Sequence, residues 1–305
     1  MAPCYNEAPV IDAFHTALSE ALNTIPGFTF RIIIVDDGST DGTLSRLNAI
    51  ATRDPRVQAY SLSRNFGHQI ALSAGLDVAD ADAVVMMDSD LQHPPSLIPE
   101  LVRHWQSGHD VVSAIRVSTA DATLFKRWTG RAFYWLINHL SDVEIIAGAA
   151  DFCLLSRRAH RALIAMPERH RFLRGMVSWI GFPRARVPFE ASPRASGQSK
   201  YTWVRMLGFA IDALLSFSAA PMRIASRIGL SIAVPGFAYL AYILGRYAVV
   251  GDLVPGWSST IGVLLIIGGV QLLFIGLIGE YLSRIFEQTK QRPLYIFKQQ
   301  PGPPP

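Results

Sequence analysis

Apolar residues fall along this chain in two textures. In the first, short apolar runs alternate with amphipathic stretches. Phe30-Arg31-Ile32-Ile33-Ile34-Val35 and Ala83-Val84-Val85-Met86-Met87 are nearly continuous, the mark of strands covered on both faces of a parallel sheet. Val57 to Leu62 and Asp110 to Ile115 read as further strands, and Gly148 to Leu155 as a turn entering another. Between them lie residues at helical spacing: Val10, Phe14, Ala17, Leu18 and Ala21, with Asn6 a candidate cap; then Ile70, Leu72, Ala74 and Leu76. Pro95 to Ser107, stopped by Gly108, and Leu124 to Leu140 complete the set. Strands alternating with helices predict a doubly wound parallel sheet.

The second texture begins at Trp203. Trp203 to Phe217 carries a narrow polar stripe of Arg205, Gly208, Asp212 and Ser216 on an otherwise apolar helix, the pattern of a helix lying in a membrane interface. Ile228 to Val250 and Ile261 to Leu282 follow, each reaching the roughly 20 residues that span a hydrocarbon core. The link between them has no Lys or Arg. Arg223 and Arg227 precede the first segment, and Arg284, Lys290, Arg292 and Lys298 follow the second. The positive-inside rule then predicts a two-span protein of the inner membrane with both ends, and the first-texture domain, in the cytoplasm. Gly262, Gly268, Gly269 and Gly276 offer small faces for helix packing and a possible homo-oligomer. The final Pro-Gly-Pro-Pro-Pro is expected to be disordered.

Composition adds constraints. Half the residues are hydrophobic and 17% are charged, with a net charge of +4. The excess of cations clusters between Arg157 and Arg227, which suits lipid headgroups or pyrophosphate. No basic stripe interleaved with aromatics is present, so nucleic acid is not expected as a partner. Two cysteines, Cys4 and Cys153, without a Cys-x-x-Cys, argue against a disulfide framework or a zinc site. The first residues carry no signal-peptide pattern.

The chemistry concentrates at strand ends. The apolar run ending at Met87 leads into Asp88-Ser89-Asp90-Leu91-Gln92-His93, and Pro94-Pro95 stop further pairing. Two carboxylates at the carboxyl end of a buried strand lie where ligands bind in open α/β sheets. They make a hard-oxygen site for Mg²⁺ or Mn²⁺ shared with substrate phosphates, and so a nucleotide-diphosphate site. The strand ending at Val35 leads into a second acidic turn, Asp36-Asp37-Gly38-Ser39-Thr40-Asp41, in which Asp41 or Thr40 caps the next helix. His68 and His93 are expected to be structural, because a hard ion prefers oxygen.

In order, the chain carries Pro3-x-Tyr5-Asn6-Glu7, Asp36-Asp37-Gly38-Ser39-Thr40-Asp41, Arg64-Asn65-Phe66-Gly67 and Met87-Asp88-Ser89-Asp90-Leu91-Gln92-His93-Pro94-Pro95. Gly148-x-x-Asp151-Phe152, Arg194-x-x-Gly197-x-Ser199-Lys200-Tyr201 and Gly279-Glu280-Tyr281 follow. This ordered set resembles the family 2 polyprenyl-phosphate glycosyltransferases, of the dolichyl-phosphate mannose synthase and undecaprenyl-phosphate glucosyltransferase type. The resemblance implies an α/β, GT-A (Rossmann-like) nucleotide-sugar domain followed by interfacial helices and two transmembrane helices. The corresponding boundaries are a cytoplasmic domain over 1–200, an interfacial amphipathic helix over 201–226, a two-helix membrane domain over 227–283 and a cytoplasmic tail over 284–305. The implied reaction is inverting transfer of one sugar from a nucleotide-diphosphate sugar, UDP-glucose type or GDP-mannose, to a polyprenyl phosphate at the bilayer. A processive polysaccharide synthase and a non-catalytic membrane scaffold are the alternatives.

The resemblance also implies roles. Pro3, Tyr5, Glu7, Asp36 and Asp37 would frame base and ribose. Asp88 would lie beside the nucleotide, and Asp90 and Gln92 would help hold Mg²⁺ or Mn²⁺. Arg116, Arg127, Arg194 and Lys200 would contact donor or lipid phosphates, and Asp151 would direct the acceptor. A lipid phosphate, with a second pKa of about 6, needs no strong base, so Asp151 is expected to orient rather than deprotonate. Two departures stand out. Only Met1-Ala2 precede the first motif, so the central first strand is expected to be missing. Cys153 stands where relatives commonly carry Arg, leaving a cation to be supplied from elsewhere.

Overall fold

The computed structural model describes residues 1–117, 149–190, 220–250 and 256–300. They fall into two compact units. One holds 1–117, 149–190 and 292–300, the other 220–250 and 256–291.

In the first unit the chain runs β1 (Ala2–Cys4), α1 (Ile11–Asn23), β2 (Ile32–Asp36), α2 (Thr43–Arg53), β3 (Val57–Leu62), α3 (His68–Val78) and β4 (Ala83–Met86). A single 3₁₀ turn (Pro95–Leu97), α4 (Ile98–Gln106), β5 (Val111–Arg116), β6 (Ala149–Ser156), α5 (Arg157–Ile164), α6 (Leu173–Trp179) and β7 (Arg184–Phe189) follow. β1, β2 and β3 are parallel neighbours. The continuous apolar run of β2 reflects cover on both faces. Ile32 and Ile34 pack with Phe14, Leu18, Leu47 and Ile50, while Ile33 and Val35 pack with Leu62, Ala71 and Ala74. Burying one such side chain contributes about 1.5–3 kcal/mol, so this strand anchors the domain.

The expected missing strand is present as three residues. Ala2, Pro3 and Cys4 pair with Ile34, Val35 and Asp36. Met1 extends the contact on the other side: its nitrogen donates to the Val85 carbonyl (2.6 Å), and its carbonyl accepts from Met87 N (3.1 Å). β1 therefore links β2 to β4, and the short segment satisfies backbone groups on both neighbours that would otherwise be orphaned.

The all-parallel expectation does not hold. β6 runs antiparallel to both β4 and β5, and β7 returns parallel to β5. Apolar periodicity reports burial and carries no information on strand direction. The reversal matters for the site, because it brings the beginning of β6 beside the end of β4. Two local expectations also shift. Asn6 does not cap α1; its side chain accepts from Thr40 N (2.9 Å) and so ties the first loop to the second. Asp41 does serve the start of α2, accepting from Thr43 N (3.0 Å), while its other oxygen accepts from Ala8 N (3.2 Å).

The second unit contains α7 (Ala220–Val250, 31 residues) and α8 (Trp257–Thr289, 33 residues). At 1.5 Å per residue these are about 46 and 50 Å long, more than a hydrocarbon core of about 30 Å. Ile267–Thr289 is long and apolar enough to cross a membrane by length and composition, with a mean hydropathy of 1.3. Leu264, Leu272, Ile275, Ile278, Leu282 and Ile285 on α8 are exposed. The helix runs past the expected end at Leu282.

Beyond it the chain rejoins the first unit. β8 (Phe297–Gln299) adds antiparallel to the outer edge of β3. Ser63 N donates to the Ile296 carbonyl, Tyr295 Oη donates to Asp77, and Phe297 packs between Tyr60 and Tyr295. Within the stretch expected as a cytoplasmic tail, residues 284–289 continue α8 and residues 297–299 form a docked strand that covers a sheet edge. The expected helices over Leu124–Leu140 and Trp203–Phe217, and the loop over Arg194–Tyr201, lie outside the described residues.

Candidate active site

The carboxyl ends of β1, β2 and β4 and the beginning of β6 meet along one side of the sheet. The loops there are laced together. Ser89 Oγ, buried, donates to the Pro3 carbonyl (2.8 Å), which fixes the Asp88–Gln92 loop to the end of β1. Asn6 N donates to Ser39 Oγ (2.9 Å), and Glu7 N donates to Thr43 Oγ1 (3.0 Å). Tyr5 is exposed above this lacing.

Asp36 and Asp37 are turned inward. Asp36 accepts from Ser39 N (3.1 Å) and from Ser61 Oγ (2.8 Å). Asp37 accepts from Phe66 N (2.7 Å) and Gly67 N (2.9 Å). Both are almost fully buried, at 1% and 2% exposure, so their carboxylates fold the turn and the Arg64–Gly67 loop rather than lie open in the crevice. Burial pushes the Asp37 carboxyl up, against the two backbone hydrogen bonds.

Asp88 and Asp151 face one another. Met86 pairs with Cys153 in the β4–β6 ladder, and that register continued two residues brings Asp88 opposite Asp151. Two carboxylates so close require cations or donors between them. His68, the first residue of α3, provides one: its Nε2 is 3.3 Å from Asp88 Oδ1 and 3.5 Å from Asp151 Oδ2. Burial alone would lower the His68 pKa, but the bond to Asp151 and the two negative charges raise it overall. Gln69 Nε2 donates to Asp151 Oδ2 (3.1 Å). Arg174, from α6, donates to both oxygens of Asp151, from Nε (2.7 Å) and from Nη2 (2.9 Å). Burial would push the Asp151 carboxyl up; His68 and Arg174 reverse this and hold it well below the usual carboxylate range.

On the opposite side of Asp88, His93 is a structural ring. Its Nδ1 accepts from Asp88 N (3.1 Å), and the ring stacks on Phe152. Burial holds its pKa below the ordinary value despite the nearby carboxylates. The Asp88 carboxyl is pushed up, mainly by burial and then by Asp151 and Asp90, with His93 and His68 opposing. Asp88 Oδ1 is buried and accepts no hydrogen bond of good geometry. Asp90 Oδ1 accepts from Gln92 N (3.0 Å), and Leu91 between them adopts φ +62°. A leucine in the left-handed region costs energy, so the loop is held in a shape that chain preference alone would not choose.

Of the residues expected from sequence, the structure brings together Pro3, Tyr5, Glu7, Asp36, Asp37, Asp88, Asp90, Gln92 and Asp151 at this side of the sheet. Arg116 ends β5 and is exposed. Arg127, Arg194 and Lys200 lie outside the described residues. Sequence reasoning missed His68 as a site residue, and Gln69 and Arg174 altogether. His68 follows the Arg64–Gly67 motif directly and so carried a local signal. Arg174, far along the chain from both Asp88 and Asp151, carried none.

The fold is a GT-A, Rossmann-like α/β domain with carboxylates gathered at its strand ends. Residues 1–164 match the model for Glycosyl transferase family 2, and residues 220–285 match the GtrB C-terminal hairpin. An uncharacterized glycosyltransferase of Synechocystis is 39% identical over 96% of this chain and 92% of its own. A prophage bactoprenol glucosyl transferase homolog of Escherichia coli is 37% identical over 98% of this chain and 97% of its own. The bactoprenol glucosyl transferase of Shigella phage SfV is 38% identical over the same shares. This chain belongs to glycosyl transferase family 2, and it is a glycosyl-transferring enzyme.

Proposed function

We propose that this enzyme transfers a single sugar, glucose in the first instance, from a nucleotide-diphosphate sugar to a polyprenyl phosphate at the cytoplasmic face of a bacterial inner membrane. The observation that carries this reading is the meeting, in one crevice, of the Asp88–Asp90 edge with the Asp151–Arg174 pair. The first suits a donor diphosphate and the second an anionic acceptor. Relatives named bactoprenol glucosyl transferase, similar over nearly their whole length, supply the substrate class.

The residues at the donor edge fit a divalent cation. Asp88 Oδ1 is buried and accepts no hydrogen bond of good geometry, with His68 Nε2 3.3 Å away, Asp90 Oδ1 accepts from Gln92 N, and the donors are hard oxygens. Among the described residues no three His, Cys, Asp or Glu side chains form a metal cage. Paired carboxylate oxygens suit Mg²⁺ or Mn²⁺, which a protein commonly holds through one or two carboxylates while substrate phosphates and water complete the shell. Asp88 and Asp90 would hold the ion, with Gln92 beside them, and when bound it would neutralise charge growing on the departing diphosphate. Pro3, Tyr5 and Glu7 would border the nucleoside. Asp36 and Asp37 would act indirectly, by shaping the two loops that frame it. Arg116, Arg127, Arg194 and Lys200 would meet the phosphates.

An acceptor phosphate dianion attacks the anomeric carbon with inversion while the bond to the nucleoside diphosphate breaks and its electron pair leaves on the diphosphate oxygen. Charge balances without proton removal: two dianions become a phosphodiester monoanion and a trianionic diphosphate. Asp151, already saturated by donors, orients rather than deprotonates. α7 and α8 would form two spans with both ends cytoplasmic, supported by their lengths and by the exposed apolar side chains. Purified protein incubated with UDP- and GDP-sugars, undecaprenyl phosphate and Mn²⁺ should yield a lipid carrying one sugar, and EDTA should abolish it. A polymer, or no lipid-linked product from any donor, overturns the reading.

A further inference from the structure

Asp151 is so placed that it serves poorly as an independent catalytic group. Its side chain is 5% exposed, and Arg174 occupies both oxygens while Gln69 takes a second position on Oδ2. The cation of the pair is the more open partner, with the Arg174 side chain 34% exposed. Nε and Nη2 of Arg174 bind the two oxygens of Asp151, which fixes the plane of the guanidinium.

Several contacts index that plane. Gln69 spans two elements: its Nε2 donates to Asp151, and its Oε1 accepts from Leu173 N (3.0 Å), the residue before Arg174. Just before Gln69 in the chain, the Phe66 and Gly67 amides are held by Asp37. At the other end of α6, Arg184 donates to the carbonyls of Val177 (2.9 Å) and Ser178. Cys153, two residues from Asp151 on the same face of β6, is a buried neutral thiol and contributes no charge. With three carboxylates nearby, an incoming dianion needs a cation here, and a guanidinium held flat by a carboxylate fork is suited to phosphate.

We infer that Arg174 binds the acceptor's phosphate group, and that Asp151 and Gln69 are positioning residues that act through it. The inference rests on the acceptor being a lipid phosphate, as proposed above. It assigns Asp151 an effect on acceptor binding in place of proton transfer.

The test compares wild type with Arg174→Gln, Arg174→Lys, Asp151→Asn and the Arg174→Gln/Asp151→Asn double variant. Binding is read first, with farnesyl phosphate against farnesol as probes, so that it does not depend on turnover. Wild type should prefer the phosphate at least tenfold. Arg174→Gln should lose that preference while UDP binding changes less than twofold, and Arg174→Lys should restore part of it. In turnover, Arg174→Gln and Asp151→Asn should each raise the acceptor KM more than tenfold with little change in donor KM. The double variant should be within threefold of Arg174→Gln alone. The inference is overturned if wild type binds the two probes equally, or if Arg174→Gln and Arg174→Lys both keep the wild-type preference. It is equally overturned if Asp151→Asn lowers kcat at unchanged acceptor KM and the two losses multiply. Failure of the wild type to make lipid-linked sugar despite phosphate-selective binding would instead count against the proposed reaction, leaving the Arg174 assignment supported.

Discussion

Gly38 sits where two loops of the site touch, and its replacement by alanine should separate them. Its φ is +68°, which an L-residue adopts at a cost of about 1–2 kcal/mol. A Cβ there would lie 2.4 Å from the Arg64 carbonyl carbon, 2.7 Å from Asn65 N and 2.8 Å from Arg64 Cα. These are backbone atoms, so no side chain can rotate away, and overpacking of this kind costs about 1–3 kcal/mol. The sum is about 2–5 kcal/mol, or roughly 5–15 °C in melting temperature for a domain of this size. The loop pushed aside is the one Asp37 holds at Phe66 and Gly67, and it carries His68 and Gln69 into the site. Turnover measured well below the melting point should therefore fall about ten- to a hundredfold, as expected for a shift of about 1 Å near the chemistry. Two controls separate the causes. Gly27 has φ +81° with open space around its Cβ, so Gly27→Ala should lose only about 1–2 kcal/mol and keep activity. Gly42 has φ −67° and open space, so Gly42→Ala should change stability by no more than about 1 kcal/mol. Thermal melting in detergent, followed by circular dichroism, orders the three. If Gly38→Ala melts no lower than Gly27→Ala and turns over normally, the close approach of the two loops is wrong.

Three further outcomes rest on a paired carboxylate, two buried thiols and one packed ring. Asp54 accepts from Arg56, which chiefly holds its carboxyl below the ordinary range, and from His15. Because the folded pKa is lowered, this stabilisation is complete above the ordinary carboxylate pKa of about 4 and is lost as pH falls below it. Asp54→Asn should thus be less stable than wild type at pH 7, with the gap narrowing steadily as pH falls from about 4 toward 2 in urea titrations; a constant gap would refute the linkage. Cys153, held mainly by burial with its thiol pushed up to about 12, and Cys4, also raised by burial, should resist iodoacetamide at pH 8 in the native state and both react in urea. Fast native labelling of either would contradict their burial. Phe297→Ala removes the ring packed on Tyr60 and Tyr295 and should cost about 1–3 kcal/mol; Ser63 N, bonded to Ile296 O, should then lose hydrogen-exchange protection. Unchanged protection would mean that β8 contributes little to holding that edge.

The fold was legible where burial leaves a periodic trace. The run Ile32–Val35 declared its strand because both faces are covered, and the helix with Phe14 and Leu18 declared its stripe. Direction was not legible. The residues of β6 would be as apolar in a parallel neighbour of β4 as in the antiparallel one it is, since side-chain alternation is the same in both. The docking of β8 was hidden for a different reason. Three residues are too few to show alternation, and their partner β3 lies at the other end of the chain. The first strand was misjudged because three residues and Met1 supply backbone bonds to two neighbours at once, a contribution that counting apolar residues does not measure.

The site shows the same division. Asp88, Asp90, Asp36 and Asp37 could be found as acidic turns at the ends of apolar runs. Whether a carboxylate faces the crevice or the loop behind it depends on donors elsewhere: the amides of Phe66 and Gly67 draw Asp37 inward, while Asp88 Oδ1 meets no backbone amide and has the His68 ring 3.3 Å away. The antiparallel register of β6 then decides the rest. Had β6 run parallel to β4, Asp151 would have entered the sheet at the far end, away from Asp88, and neither His68 nor Arg174 could have met it. The same reversal that sequence could not reveal therefore assembles the Asp151 side of the crevice. It also explains how a neutral Cys153 is tolerated. Once Asp151 is fixed opposite Asp88, the positive charge it needs arrives from α6, on a segment whose relation to the acidic motifs exists only in the folded chain.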